Sequence, residues 1–237
     1  MGRGPGNADS SPARAGAIAS ARELLVEASA TDDRTYRMLL VVEAVQVAVQ
    51  DLNIEPVVVG GLAVEFYTHA YSTSDVDVVM PSTRQVHERL VELGFAQESA
   101  DGGVWVHEDS GVVWEMPAGS LSSEDQADEV ETTTGGRVRM IRVEDLLVHR
   151  VDEFVGQGHG DVFEQVLALL RVPGLDWGRV LQRAQADNQE HAAQRLRELA
   201  GALRRSERPF PENWELHELA DELRATWRAR NLGAGDA

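Results

Sequence analysis

Residues 57–80 read VVVGGLAVEFYTHAYSTSDVDVVM, and no other stretch limits the possible folds as sharply. An apolar run follows Pro56 and meets Gly60-Gly61. An apolar segment from Leu62 to Ala70 comes next, and then a second apolar run that holds Asp75 and Asp77. This order predicts a strand, a glycine turn, a short helix and a strand. Residues i and i+2 of a strand share a face. Asp75 and Asp77 therefore stand side by side among valines. Two like charges with little water are unfavourable unless something offsets them, and a divalent cation is the usual solution.

An all-oxygen ligand set selects Mg²⁺ or Mn²⁺. Thiolate ligands are excluded, because the chain has no cysteine. With Mg²⁺ the natural chemistry is phosphoryl or nucleotidyl transfer. Gly60-Gly61 fits that chemistry: glycine lets backbone approach a phosphate, and the helix that follows offers free N–H groups. Taken singly, a Gly-Gly pair is an ordinary turn and an Asp-x-Asp an ordinary strand end. Here they come in order, thirteen residues apart from Leu62 to Ser74.

The rest of the chain completes an α+β expectation. Residues 1–14 are rich in Gly, Pro, Ser and Ala and read as disordered. Helices are predicted over Ala15–Ala28 and about Asp33–Leu52, the second capped by Thr31 or Asp32 and carrying one broad apolar face. Ser82 is expected to cap a helix that ends at Gly94. A hairpin turns at Glu108-Asp109-Ser110-Gly111, and a further strand pair turns at Thr134-Gly135-Gly136. From Val143 onward five helical segments follow, the last over Trp214–Ala229. The expected division is therefore a disordered 1–14, an α/β domain over 15–142 and a helical region over 143–230.

The Gly60-Gly61 turn and the Asp75-Val76-Asp77 strand resemble the signature of the DNA polymerase β-like nucleotidyltransferase superfamily. The layout is most similar to its minimal bacterial branch, the AbiEii-type and MenT-type toxin nucleotidyltransferases. In that branch a Gly-Gly-x-Ala turn, here Gly60, Gly61 and Ala63, precedes a Thr two places before the first Asp, here Thr73. The resemblance spans about Tyr36 to Leu170. It implies a mixed sheet flanked by helices, a Mg²⁺ or Mn²⁺ cofactor and a nucleoside triphosphate substrate. It also implies a third carboxylate on a later strand, for which Glu115 in VVWEMPAG is the candidate; Glu115 would be a metal ligand or general base beside Asp75 and Asp77. Relatives carry a triphosphate-binding Lys on the helix that opens Glu-Asp-Leu, and Arg150 falls at that place. A further Asp is matched by Asp161. Nucleotide contacts are thus expected from Gly60, Gly61, Thr73, Arg150 and Asp161.

All 22 basic residues are arginine, so no lysine can serve, and arginine is not an equivalent swap. Net charge is −18, which speaks against a broad nucleic-acid-binding face. Arg137 and Arg139 share a strand face and are expected either to meet phosphate or to pair with the acidic run from Glu124 to Glu131. The seven histidines show no metal-ligand spacing, and His69 is expected to be half-buried. Trp177, Trp214 and Trp227 read as helical core. No apolar run reaches membrane-spanning length, and the N-terminus lacks a signal-like apolar stretch, so the expected compartment is the cytoplasm.

Three functions follow as expectations. The first is a Mg²⁺-dependent nucleotidyltransferase that moves a nucleotide from an NTP to a hydroxyl of a tRNA, a protein or a small molecule. On that reading it is a toxin of a toxin–antitoxin system with a cognate antitoxin. The second is an aminoglycoside-type antibiotic nucleotidyltransferase. The third is a degenerate fold that binds a nucleotide or a protein without catalysis.

Overall fold

The computed structural model describes residues 12–98, 103–117, 121–157, 160–186, 190–205 and a few positions between 218 and 229. They fall into two compact units. The first takes residues up to Leu62, Thr73–Leu121 and Ala127–Met140; the second takes Ala63–Ser72, Ser122–Gln126 and Ile141 onward.

The first unit is built on a seven-stranded mixed sheet. Its strands are β1 (Val57–Val58), β2 (Asp75–Val79), β3 (Phe95–Gln97), β4 (Val104–His107), β5 (Val112–Glu115), β6 (Ala127–Glu131) and β7 (Arg137–Ile141), in the spatial order β3-β4-β5-β2-β1-β7-β6. β1 is antiparallel to β2 and parallel to β7, and β2 is parallel to β5. β3, β4 and β5 form an antiparallel meander. The turns expected at 108–111 and 134–136 are where the chain reverses. Trp105 and Trp114, paired across β4 and β5, are the largest fully buried side chains among the described residues.

Helix α1 spans Pro12–Ala30 and α2 spans Arg34–Val49, which continues as a 3₁₀ turn to Leu52. α1 thus begins inside the stretch read as disordered; residues 1–11 lie outside the described residues. Asp33, not Thr31 or Asp32, caps α2, its Oδ1 accepting from the Tyr36 N–H at 2.9 Å. The predicted single apolar face is also too narrow. Every residue from Met38 to Val45 is buried, because α1 packs on α2 from one side and strands β2 and β5 from another. That run includes Glu43, whose carboxylate accepts from Thr132 Oγ1 at 2.5 Å and also from Thr134. The β6–β7 turn is thereby tied to α2. Helix α4 spans Arg84–Glu92 and is capped by Thr83, whose Oγ1 accepts from the Val86 N–H at 3.3 Å. Ser82, the expected cap, pairs instead with His87 Nε2 at 2.8 Å.

In the second unit, α5 (Val143–Gln157), α6 (Gly160–Leu169), α7 (Trp177–Ala186) and α8 (Glu190–Arg205) pack together, with Phe154 of α5 stacked on Phe163 of α6 at 4.6 Å. Helix α3 (Gly60–Thr68) starts in the first unit and runs into the second. The helix predicted over Trp214–Ala229 lies largely outside the described residues. So do the side chains of Trp214 and Trp227, while Trp177 is partly exposed.

The second unit holds a network of enclosed charges. Asp125 accepts from His149 Nε2 at 2.9 Å, from Arg183 Nε at 2.7 Å and from the Ser122 N–H at 2.8 Å. Burial by itself would raise the Asp125 carboxyl. The hydrogen bonds from His149 and Arg183, with the His149 charge and the Ser122 N–H, outweigh burial and hold it well below the usual carboxylate range. A carboxyl lowered on folding binds fewer protons in the native state than in the unfolded chain. Its contribution is therefore complete above the unfolded value near about pH 4 and fades as pH falls below it. Thermal melts of the wild type should drop as pH is lowered through that region, and Asp125→Asn should flatten the drop. Equal slopes for the two proteins would refute the assignment.

Candidate active site

The site residues expected in the α/β half lie on β2, on β5 and at the start of α3, which follows β1. β2 alternates half-exposed and buried residues: Asp75, Asp77 and Val79 on one face, Val76 and Val78 in the core. β5 does the same, with Val112 and Trp114 buried and Val113 and Glu115 half-exposed. Parallel pairing puts Asp75 beside Val113 and Asp77 beside Glu115. Paired residues of neighbouring strands point to the same side of a sheet. Asp75, Asp77 and Glu115 therefore share one half-exposed face. This explains how a carboxylate can sit between Trp114 and Met116: both neighbours turn inward and are buried.

Gly60 and Gly61 are not a turn preceding the helix; they are the first residues of α3. Gly60 has φ of +63° and touches Asp77. A Cβ built on Gly60 would lie 2.7 Å from Asp77 Cβ and closer still to its carboxylate. The Gly61 N–H donates to Asp77 Oδ2 at 3.4 Å, and the Val59 N–H donates to the Asp77 carbonyl at 2.9 Å. The glycine pair and the second aspartate thus form one contact, held from both strand and helix. Gly60→Ala must place a side chain in the left-handed region and displace Asp77. It should lower stability by at least about 2 kcal/mol, which a thermal melt would detect as a shift of several degrees. A melt unchanged from wild type would contradict this packing.

Thr73 is buried, and its Oγ1 donates to Asp75 Oδ1 at 2.5 Å. Asp75 and Asp77 thus accept from different donors, Thr73 Oγ1 and the Gly61 N–H. Among the described residues no three His, Asp or Glu side chains converge closely enough to hold a metal ion. The backbone register nevertheless aligns three carboxylates, and the donor set is all oxygen. That chemistry fits Mg²⁺ or Mn²⁺.

Arg150 and Asp161 belong to the second unit. Arg150 Nη1 pairs with Glu153 at 2.9 Å and lies 3.5 Å from Gln165 Oε1. Asp161 is exposed in the first turn of α6. Arg137 pairs with Glu129 at 2.7 Å, so it meets the acidic run as expected, while Arg139 pairs with Glu55 and donates to the Ala127 carbonyl at 3.2 Å. His69 is exposed rather than half-buried; with φ of +51° it ends α3 in a left-handed conformation. Sequence reasoning missed Glu43, an acidic residue inside an otherwise apolar helical run. That single break in the pattern was the available signal.

No family model matches the chain, and no curated protein matches it. Among solved structures it is similar to an antigenic nucleotidyltransferase-like protein from Paracoccidioides brasiliensis, with 16% identity, 78% of this chain and 92% of that one covered, and a TM-score of 0.46. It is also similar to the antibiotic-resistance factor ANT(2'')-Ia, with 17% identity, 70% and 98% covered, and a TM-score of 0.45. No helix among the described residues is long and apolar enough to cross a membrane.

Proposed function

We propose that this chain is a divalent-cation-dependent nucleotidyltransferase. One observation carries the reading: the β2–β5 register aligns Asp75, Asp77 and Glu115 on one face, with the start of α3 in contact with Asp77. Asp75 and Asp77 would hold Mg²⁺ or Mn²⁺, and Glu115 would complete the set or serve as base. When bound, the cation neutralises the triphosphate and makes the acceptor oxygen a better nucleophile. The N–H groups in the first turn of α3 would face the phosphates. The acceptor oxygen forms a bond to the α-phosphorus as the bond from that phosphorus to the bridging oxygen breaks. Pyrophosphate leaves, and the hydroxyl proton passes to the Glu115 carboxylate.

Nucleotide contacts from Arg150 and Asp161 are proposed on the sequence resemblance alone. So is the toxin role, with a tRNA end as acceptor and a partner antitoxin. A net charge of −18 favours a protein or a cationic small molecule, such as an aminoglycoside, over a long RNA.

A second reading has its own support. The three carboxylates do not converge, and Arg150 is already paired with Glu153. These features suit a fold that binds nucleotide without transferring it. One experiment separates the two: the full chain is incubated with α-labelled NTPs and Mg²⁺ in cell lysate. Labelled acceptor and released pyrophosphate are the expected result. Mg²⁺-dependent NTP binding with neither product would select the binding-only reading.

A further inference from the structure

Thr73 sits two residues before Asp75 on the approach to β2 and is only 7% exposed. Its hydroxyl donates to Asp75 Oδ1 at 2.5 Å. A hydroxyl carries a single proton, and this one is directed at a carboxylate from a buried position. That geometry is poorly suited to contacting a phosphate. We propose that Thr73 is a positioning residue, which sets the orientation of the Asp75 carboxylate for a divalent cation. The proposal rests on the metal-dependent reading above and deepens it.

The physical case has three parts. An aspartate carboxylate turns freely about its last torsion, whose energy wells are broad. Threonine is stiff about its first torsion because it is branched at Cβ, and burial removes its remaining freedom. A stiff donor on a soft acceptor therefore decides where the acceptor points. Partners that orient metal-binding side chains typically change metal affinity about 10- to 100-fold when removed.

The test titrates the full chain with Mn²⁺ alone and follows free Mn²⁺ by electron paramagnetic resonance. Thr73→Val keeps shape and removes the donor, so its Mn²⁺ affinity should fall by about 10- to 100-fold. Thr73→Ser restores the donor and should stay close to wild type. Melts without metal should separate the two variants little, so a general loss of packing cannot mimic the result. Thr73→Ala takes the place of the valine variant if that one does not fold. Wild-type affinity in the donor-less variant overturns the proposal and leaves the metal reading intact, as does a serine variant as weak as valine. A wild type that binds no Mn²⁺ removes the metal reading, and the role of Thr73 with it.

Discussion

Asp77→Asn lowers nucleotidyl transfer by about 10³-fold or more and leaves the melting temperature close to that of the wild type. The change is nearly isosteric. Its amide oxygen can still accept from the Gly61 N–H, and the backbone bond from Val59 to the residue-77 carbonyl is untouched. What disappears is one negative charge on a face that also carries Asp75 and Glu115. Losing a like charge there relieves repulsion, so folding does not suffer. Catalysis does suffer. A cation that stabilises charge in the transition state is worth several kcal/mol, and about 4 kcal/mol is about 10³ in rate. Asp109→Asn, in the exposed β4–β5 turn, is the control and should retain activity. The measurement is release of labelled pyrophosphate under matched NTP and Mg²⁺, alongside thermal melts of all three proteins. Comparable activity in the wild type and Asp77→Asn would sink the assignment.

The core of that site was legible because it is local. Strand, glycine pair, helix and Asp-x-Asp lie within 24 residues, and side-chain alternation on one strand fixes which aspartates share a face. Glu115 was reachable only through the resemblance. Its place beside Asp77 depends on β5 pairing with β2, and nothing in either strand's own residues specifies that partner. The union of Gly60 with Asp77 was hidden for a related reason. Composition shows that glycine tolerates a positive φ, but only the fold shows which side chain fills the space a Cβ would need. Caps moved by one or two residues, from Thr31 or Asp32 to Asp33 and from Ser82 to Thr83, because adjacent polar residues compete and backbone geometry selects one. The all-round burial of α2 depends on α1, whose own sequence shows no preference for that partner.

Least legible were the enclosed charges of the second unit, whose partners are separated by tens of residues, and they support the largest expected loss of stability. Asp145 is 0% exposed. It accepts from Arg179 Nε at 2.9 Å and Nη2 at 2.8 Å, and from the Gln126 N–H at 2.7 Å. Arg179 also donates to the Glu124 carbonyl, so one guanidinium ties segment 122–126 to α5 and α7. Asp145→Ala strips Arg179, whose side chain is 13% exposed, of its counter-charge, and leaves the Gln126 N–H without its acceptor. Breaking a buried pair from one side typically costs about 3–5 kcal/mol. Replacing both members with apolar residues is far milder, because no charge is left stranded. The double variant Asp145→Leu/Arg179→Met should therefore recover much of the loss seen in Asp145→Ala. Urea unfolding at neutral pH measures both. A double variant less stable than Asp145→Ala would mean that the pair does more than cancel charge. A loss below about 1 kcal/mol in Asp145→Ala would place this pair among exposed ion pairs, whose contribution is that small.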